Sequence, residues 1–139
     1  MNTFFKLLAG VLLLFNGVTA IYGGWNLITH PDGSTVNMSL EWLKHSPFDD
    51  YQIPGVILLV ANGFCSLVVL MALVLNAPLA PWLIMAQGAV LVGWIVVQMI
   101  LLESVNYLHT LYGSMGFALI ILGALLLRHA RMPRSGDIA

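Results

Sequence analysis

Glu103 and His109 are the side chains in this sequence best placed for proton transfer. A carboxylate and an imidazole bracketing one short loop could meet across it and exchange a proton. Glu103 is also the sole formally charged residue between Asp50 and Arg128. An ionisable group deep in a membrane signals function by default. Glu103, however, falls at the end of an apolar segment, where its carboxylate reaches water. Ordinary interfacial residues are the favoured reading and a catalytic pair is the rival.

A second constellation is polar and does not titrate. Asn16, Asn62, Trp94, Gln98 and Ser114 interrupt four apolar segments. Counting depth at about 1.5 Å of rise per residue puts Asn16, Asn62, Trp94 and Ser114 within roughly one helical turn of each other. Gln98 lies about one turn further toward the long first loop, and Gln87 lies on the other side of the layer. Amides, hydroxyls and indoles donate and accept hydrogen bonds but carry no proton chemistry near neutral pH. Two readings follow. Polar side chains bridge helices in lipid, each bridge worth about 0.6–2 kcal/mol. Alternatively, the layer lines a pocket for a lipid or a hydrophobic small molecule beneath the loop. Bridging is the favoured reading.

No cofactor is expected. Haem held between two imidazoles needs histidines inside the segments at matching depth. His30, His45 and His109 fall in loops, and His129 follows the last segment. No HxxxH or HExxH spacing supports a metal, and no phosphate-binding loop, dinucleotide fingerprint or serine-nucleophile motif is present. The lone Cys65 excludes a CxxC redox pair or an internal disulfide.

The elements that must position these residues are written for a lipid solvent. The chain has 139 residues, 60% hydrophobic and 8% charged, against roughly 25% charged in soluble domains. A net charge of −1 offers no basic field for nucleic acid. Spans are expected over residues 7–27, 53–75, 81–102 and 105–127, each near the roughly 20 residues that cross a hydrocarbon layer. Helix is the open-chain form that satisfies its own backbone there. The expectation is therefore an all-α four-helix transmembrane bundle, residues 1–139 forming one domain. A cleavable signal ending near Ala20 is the rejected alternative, because the apolar run continues through Ile21, Tyr22 and Trp25. Gly10, Gly17 and Gly24 recur every seven residues and read as a packing seam.

Lys6 precedes the first span, and Arg128, Arg131 and Arg134 follow the last. The positive-inside rule then puts both termini, including the tail 128–139, in the cytoplasm, and the loop 29–52 outside. Trp82 on the inner side, and Trp25, Tyr51 and Tyr107 on the outer, are expected at interface depth. Within the loop a short amphipathic helix is expected over Asn37–His45, ended by Pro47. Asp49 and Asp50 read first as caps on the second span, and otherwise, with Trp42, as a recognition surface.

The runs Tyr22-Gly23-Gly24-Trp25-Asn26-Leu27 and Ser46-Pro47-Phe48-Asp49-Asp50-Tyr51-Gln52-Ile53-Pro54-Gly55 resemble a group of small bacterial four-span membrane proteins. In size and span count the chain is also similar to DoxX-like proteins. The resemblance implies a multi-pass protein of the bacterial inner membrane and carries no activity with it. The leading functional expectation is a non-enzymatic accessory or scaffold subunit, partnered by the lipid bilayer and by another membrane protein or a second copy of itself.

Overall fold

The computed structural model describes residues 2–36, 38–44, 46–102 and 107–131. Four helices are long and apolar enough to cross a membrane. These are α1 (Asn2–Thr29), α2 (Gln52–Val74), α3 (Ala80–Leu102) and α4 (Tyr107–Arg131). No strand occurs among the described residues. The expected α-helical bundle is the architecture found, with span limits within a few residues of those drawn from hydropathy. Glu103 and the tail beyond Arg131 lie outside the described residues.

Each helix packs against its neighbours in sequence, and α1 closes the ring against α4. The helices alternate in direction. Glycine contacts on α1 run in reverse order along α2: Gly10 against Leu70, Gly17 against Gly63, and Gly24 against Gly55. The seven-residue glycine repeat is therefore the α1–α2 seam. On α3 and α4, Gly88 faces Gly116 and Gly123 faces Met85 in the same antiparallel sense. A Cβ at Gly93 would meet no neighbouring atom within 4 Å.

The two ends of the bundle are built differently. Near the termini, Ala9, Leu13, Leu73, Ile84, Leu119 and Leu126 fill the interior as one apolar cluster. The outer faces carry exposed Phe4, Leu7, Leu14, Val18, Phe64 and Phe117, an inverted polarity that suits lipid and not water. Exposed Tyr22 and Trp25 ring the loop end of α1, and Trp82 lies at the other end, as an interfacial aromatic belt requires. Tyr51 departs from that belt: it is buried at 2% exposure.

The α2–α3 turn is closed by Asn76, whose φ of 54° is left-handed. Ala77 N–H returns to Ala72 O and Asn76 N–H to Leu73 O, the two bonds of a Schellman ending. Pro78 prevents continuation, and Pro81 sits in the first turn of α3, where a missing N–H costs nothing.

The loop between α1 and α2 folds back over the bundle. Its expected helix takes the form of a 3-10 turn, Leu40–Leu43, capped by Ser39 Oγ accepting from Glu41 N–H. A further turn covers Ser34–Val36. Leu43 and Tyr51 pack against Leu27 in a small cluster. Tyr51 Oη donates to Ser39 O at 2.7 Å, and Tyr51 N–H donates to Pro31 O at 2.9 Å. One residue thus ties both ends of the loop to the top of α2.

Candidate functional site

Helix α2 is irregular at mid-depth. Leu58–Phe64 is a π-helical stretch between α-helical halves. Such widened turns interrupt the regular backbone ladder and occur often at functional sites. Two side chains from neighbouring helices reach into it. Gln87 Nε2 on α3 donates to Ala61 O at 3.0 Å, and Asn16 Nδ2 on α1 donates to Asn62 O at 3.4 Å. Asn16 Nδ2 also donates to Ser66 Oγ at 2.8 Å. Part of the polar layer is therefore interhelical bridging, the favoured sequence reading.

Bridging does not consume the whole layer. A cavity of about 330 Å³ opens above it, on the loop side. Asn16, Thr19, Gln98, His109 and Tyr112 supply its polar lining, and Trp94 adds an indole. Leu58, Leu91 and Ile95 are among its apolar walls, and Met38 and Trp42 of the loop roof it. On α1 the lining runs from Asn16 to Leu27, about 16 Å of helix rise. Both recorded bonds of Asn16 use Nδ2, which leaves Oδ1 to accept from a donor in the cavity. Tyr112 Oη donates to Thr19 Oγ1 at 2.9 Å, and Phe15 stacks on Tyr112 with ring centroids 6.1 Å apart. This joins α1 to α4 along one wall and leaves the tyrosine oxygen's lone pairs available. Among the described residues, no Lys, Arg, Asp or Glu lines the space.

The structure brings Asn16, Trp94 and Gln98 around this cavity and leaves the other two candidates outside it. Ser114 is exposed on the outer face of α4 and bonds its own helix at Thr110 O, 2.7 Å. The rise per residue gives its depth correctly, but its azimuth faces away from the interior. Asn62 is fully buried beside the cavity, and neither its Nδ2 nor its Oδ1 has a partner.

Of the loop candidates, Trp42 lies on the cavity roof. Asp50 Oδ1 accepts from Gln52 N–H, the first of α2, at 3.0 Å, although the cap position itself is Tyr51; Asp49 is exposed. His109 is not a loop residue. It is buried on the first turn of α4 and lines the cavity. Its pairing with Glu103 falls outside the described residues.

Thr19, Tyr112 and the roof residue Met38 escaped the sequence reading. The signal was present for two of them. Thr19 follows Asn16 by three residues and Tyr112 follows His109 by three, so each pair shares a helix face. Among the described residues no group of His, Cys, Asp or Glu side chains is assembled to hold a metal ion. The chain matches no known family model, no curated protein and no solved structure.

Proposed function

We propose that this four-helix membrane protein binds an uncharged amphiphilic molecule, a lipid or hydrophobic small molecule with a hydroxyl or carbonyl head, in the cavity under its first loop. The observation that carries this reading is the cavity itself. It has the size of a small-ligand site, its walls are mainly apolar, and Asn16, Gln98, Trp94 and Tyr112 offer uncharged hydrogen-bonding groups within it. Among the described lining residues an ionised head would meet no Lys, Arg, Asp or Glu as counter-charge, a costly burial. A hydroxyl donating to Asn16 Oδ1, or a carbonyl accepting from Gln98, would pair with polar groups that line the cavity. This reading is preferred to the scaffold expectation because bridging leaves Asn16 Oδ1 and Gln98 free to meet a ligand.

The membrane is a bacterial inner membrane in this reading, with both termini in the cytoplasm. Arg128 and Arg131 in the last turn of α4, and Lys6 near the start of α1, support the orientation. The resemblance of the Ser46–Gly55 run supports the bacterial setting. Cysteines placed at Ser34 and Ser135 should react with an impermeant maleimide from opposite sides of the membrane; same-side labelling reverses the orientation.

The ligand is tested by extracting the protein with its surrounding lipid in polymer nanodiscs and comparing bound small molecules with bulk lipid by mass spectrometry. Wild type should retain an enriched neutral species. Gly23→Leu projects a side chain from the cavity wall, where its first carbon meets Leu58 at an ordinary 3.5 Å, and should lose it. Gly93→Leu, in open space on the outer face, should keep it. No enrichment in wild type, or equal loss in both variants, refutes the proposal.

A further inference from the structure

The terminal end of the bundle holds a second cavity, of about 360 Å³, separate from the first. Lys6 of α1, Asn76 and Pro81 of the α2–α3 turn, and His129 of the last turn of α4 line it over a base of Leu73 and Leu126. Lys6 Nζ donates to Asn76 Oδ1 at 2.6 Å. That bond sets the ammonium at the wall and leaves two of its three hydrogens for another acceptor. The His129 ring packs against Phe5, centroids 5.6 Å apart. The start of α3 opens on the same space through Ala80 and Pro81, but the C-terminal ends of α2 and α4 line it too, so the helix dipoles offset one another and attraction for an anion rests on Lys6 and His129.

Charge is sorted along the bundle. The described carboxylates, Asp32, Glu41, Asp49 and Asp50, are all on the loop side with one cation, Lys44, whereas the other described cations, Lys6, Arg128 and Arg131, are on the terminal side. An anion in this cavity meets a lysine and an imidazole, with no described carboxylate opposing it. Exposed Phe4, Leu75 and Leu79 flank the same end, and Arg131 lies over the Trp82 ring at 5.7 Å. Acyl chains have apolar surface to lie on directly beside the anion site.

We infer that this cavity binds a phosphate group, and that the phosphate belongs to an anionic phospholipid of the leaflet on the terminal side. Lys6 is the principal contact, His129 the second, and Asn76 holds Lys6 in place.

The test uses the full chain in detergent micelles and native mass spectrometry. The probes are dioleoylphosphatidylglycerol, dioleoylphosphatidylcholine and inorganic phosphate. Wild type should bind phosphatidylglycerol in preference to phosphatidylcholine. Lys6→Gln should weaken that binding roughly fivefold, His129→Gln should weaken it further, and Lys6→Arg should retain it. Lys44→Gln, on the loop side, should leave it unchanged. The Lys6→Arg result separates loss of charge from loss of fold. Phosphate binding through Lys6 without preference between the two lipids would make the free anion the ligand and overturn the lipid assignment. Equal binding of both lipids without any dependence on Lys6 overturns the site.

Discussion

Alanine substitution along the α1 seam should destabilise the protein in a graded order, Gly24 most and Gly10 least. The gradient is geometric. A Cβ at Gly24 would sit 2.7 Å from Gly55 O and 2.8 Å from Leu59 N, both backbone atoms. Reaching an ordinary separation of 3.4 Å requires α1 and α2 to part by about 0.7 Å there, because neither partner can rotate away. Overpacking of that kind costs about 1–3 kcal/mol. At Gly10 the same Cβ meets only Leu70 and Leu73 side-chain carbons, at 3.6 and 3.8 Å. That is ordinary contact, so Gly10→Ala gains the helical preference of alanine over glycine, about 0.8–1.0 kcal/mol. Gly17 falls between, with the flexible Leu67 side chain at 2.8 Å and Gly63 O at 3.3 Å. The propensity gain is common to all three variants and cancels in the comparison. Gly24→Ala should therefore lie about 1–3 kcal/mol below Gly10→Ala. Reversible unfolding in mixed micelles by sodium dodecyl sulfate, followed by far-ultraviolet circular dichroism, measures this. Equal shifts for Gly24→Ala and Gly10→Ala, or the reverse order, would show that the seam does not hold the two helices at the described distance.

The unpartnered amide of Asn62 makes a contrasting expectation: Asn62→Leu should be neutral or stabilising, because it removes a buried group with no hydrogen bond. Asn16→Leu, which loses the bonds to Ser66 and to Asn62 O, should cost about 1–2 kcal/mol in the same titration; a larger loss for Asn62→Leu would mean that its amide is engaged. Tyr51→Phe removes the bond to Ser39 O and should loosen the loop by about 1 kcal/mol, read as faster amide exchange at residues 38–44. Burial pushes the Tyr51 hydroxyl above its ordinary pKa of 10.0, so its contribution is fully present below that pH and is lost as pH rises through the higher folded value. Alkaline loosening of the loop should therefore appear in wild type and be absent in Tyr51→Phe.

Hydropathy determined the number, length and order of the helices, since a charge-free run of adequate length has one stable form in lipid. Depth along each helix was legible too, because rise per residue is fixed. Azimuth was not. In a soluble helix the polar side marks water and the apolar side the core. Here the outward face of α3 (Val90, Val96, Val97, Ile100) is as apolar as its inward face (Ile84, Leu91, Ile95). Nothing in composition therefore says which way Ser114 turns. Small residues carried more of that information: Gly17 and Gly24 mark the side of α1 that meets α2. The loop turn, Leu40–Leu43, was shorter than expected; its cap residue Ser39 is held through its carbonyl by Tyr51, eight residues beyond the turn, a tertiary contact that no local pattern records.

The placement of the cavity follows from the same residues. Where Leu13, Leu73, Ile84, Leu119 and Leu126 meet, branched side chains interlock and close the interior. Nearer the loop, α1 presents Ala20 and Gly23, too small to span the bundle, while Asn16 and Gln87 are drawn sideways into the π stretch of α2. The widened turn and the space are thus linked: side chains that could fill the centre are occupied in satisfying the backbone that the π stretch frees. Converting Leu58–Phe64 to regular α-helix would release Asn16 and Gln87 and turn the α2 residues before it by about 100° per residue of register. Asn62 lies within that stretch, buried and with its amide unpaired. On the proposed function, a ligand whose head pairs with Asn16 Oδ1 would hold the side chain that bonds Asn62 O, and so would favour the π form.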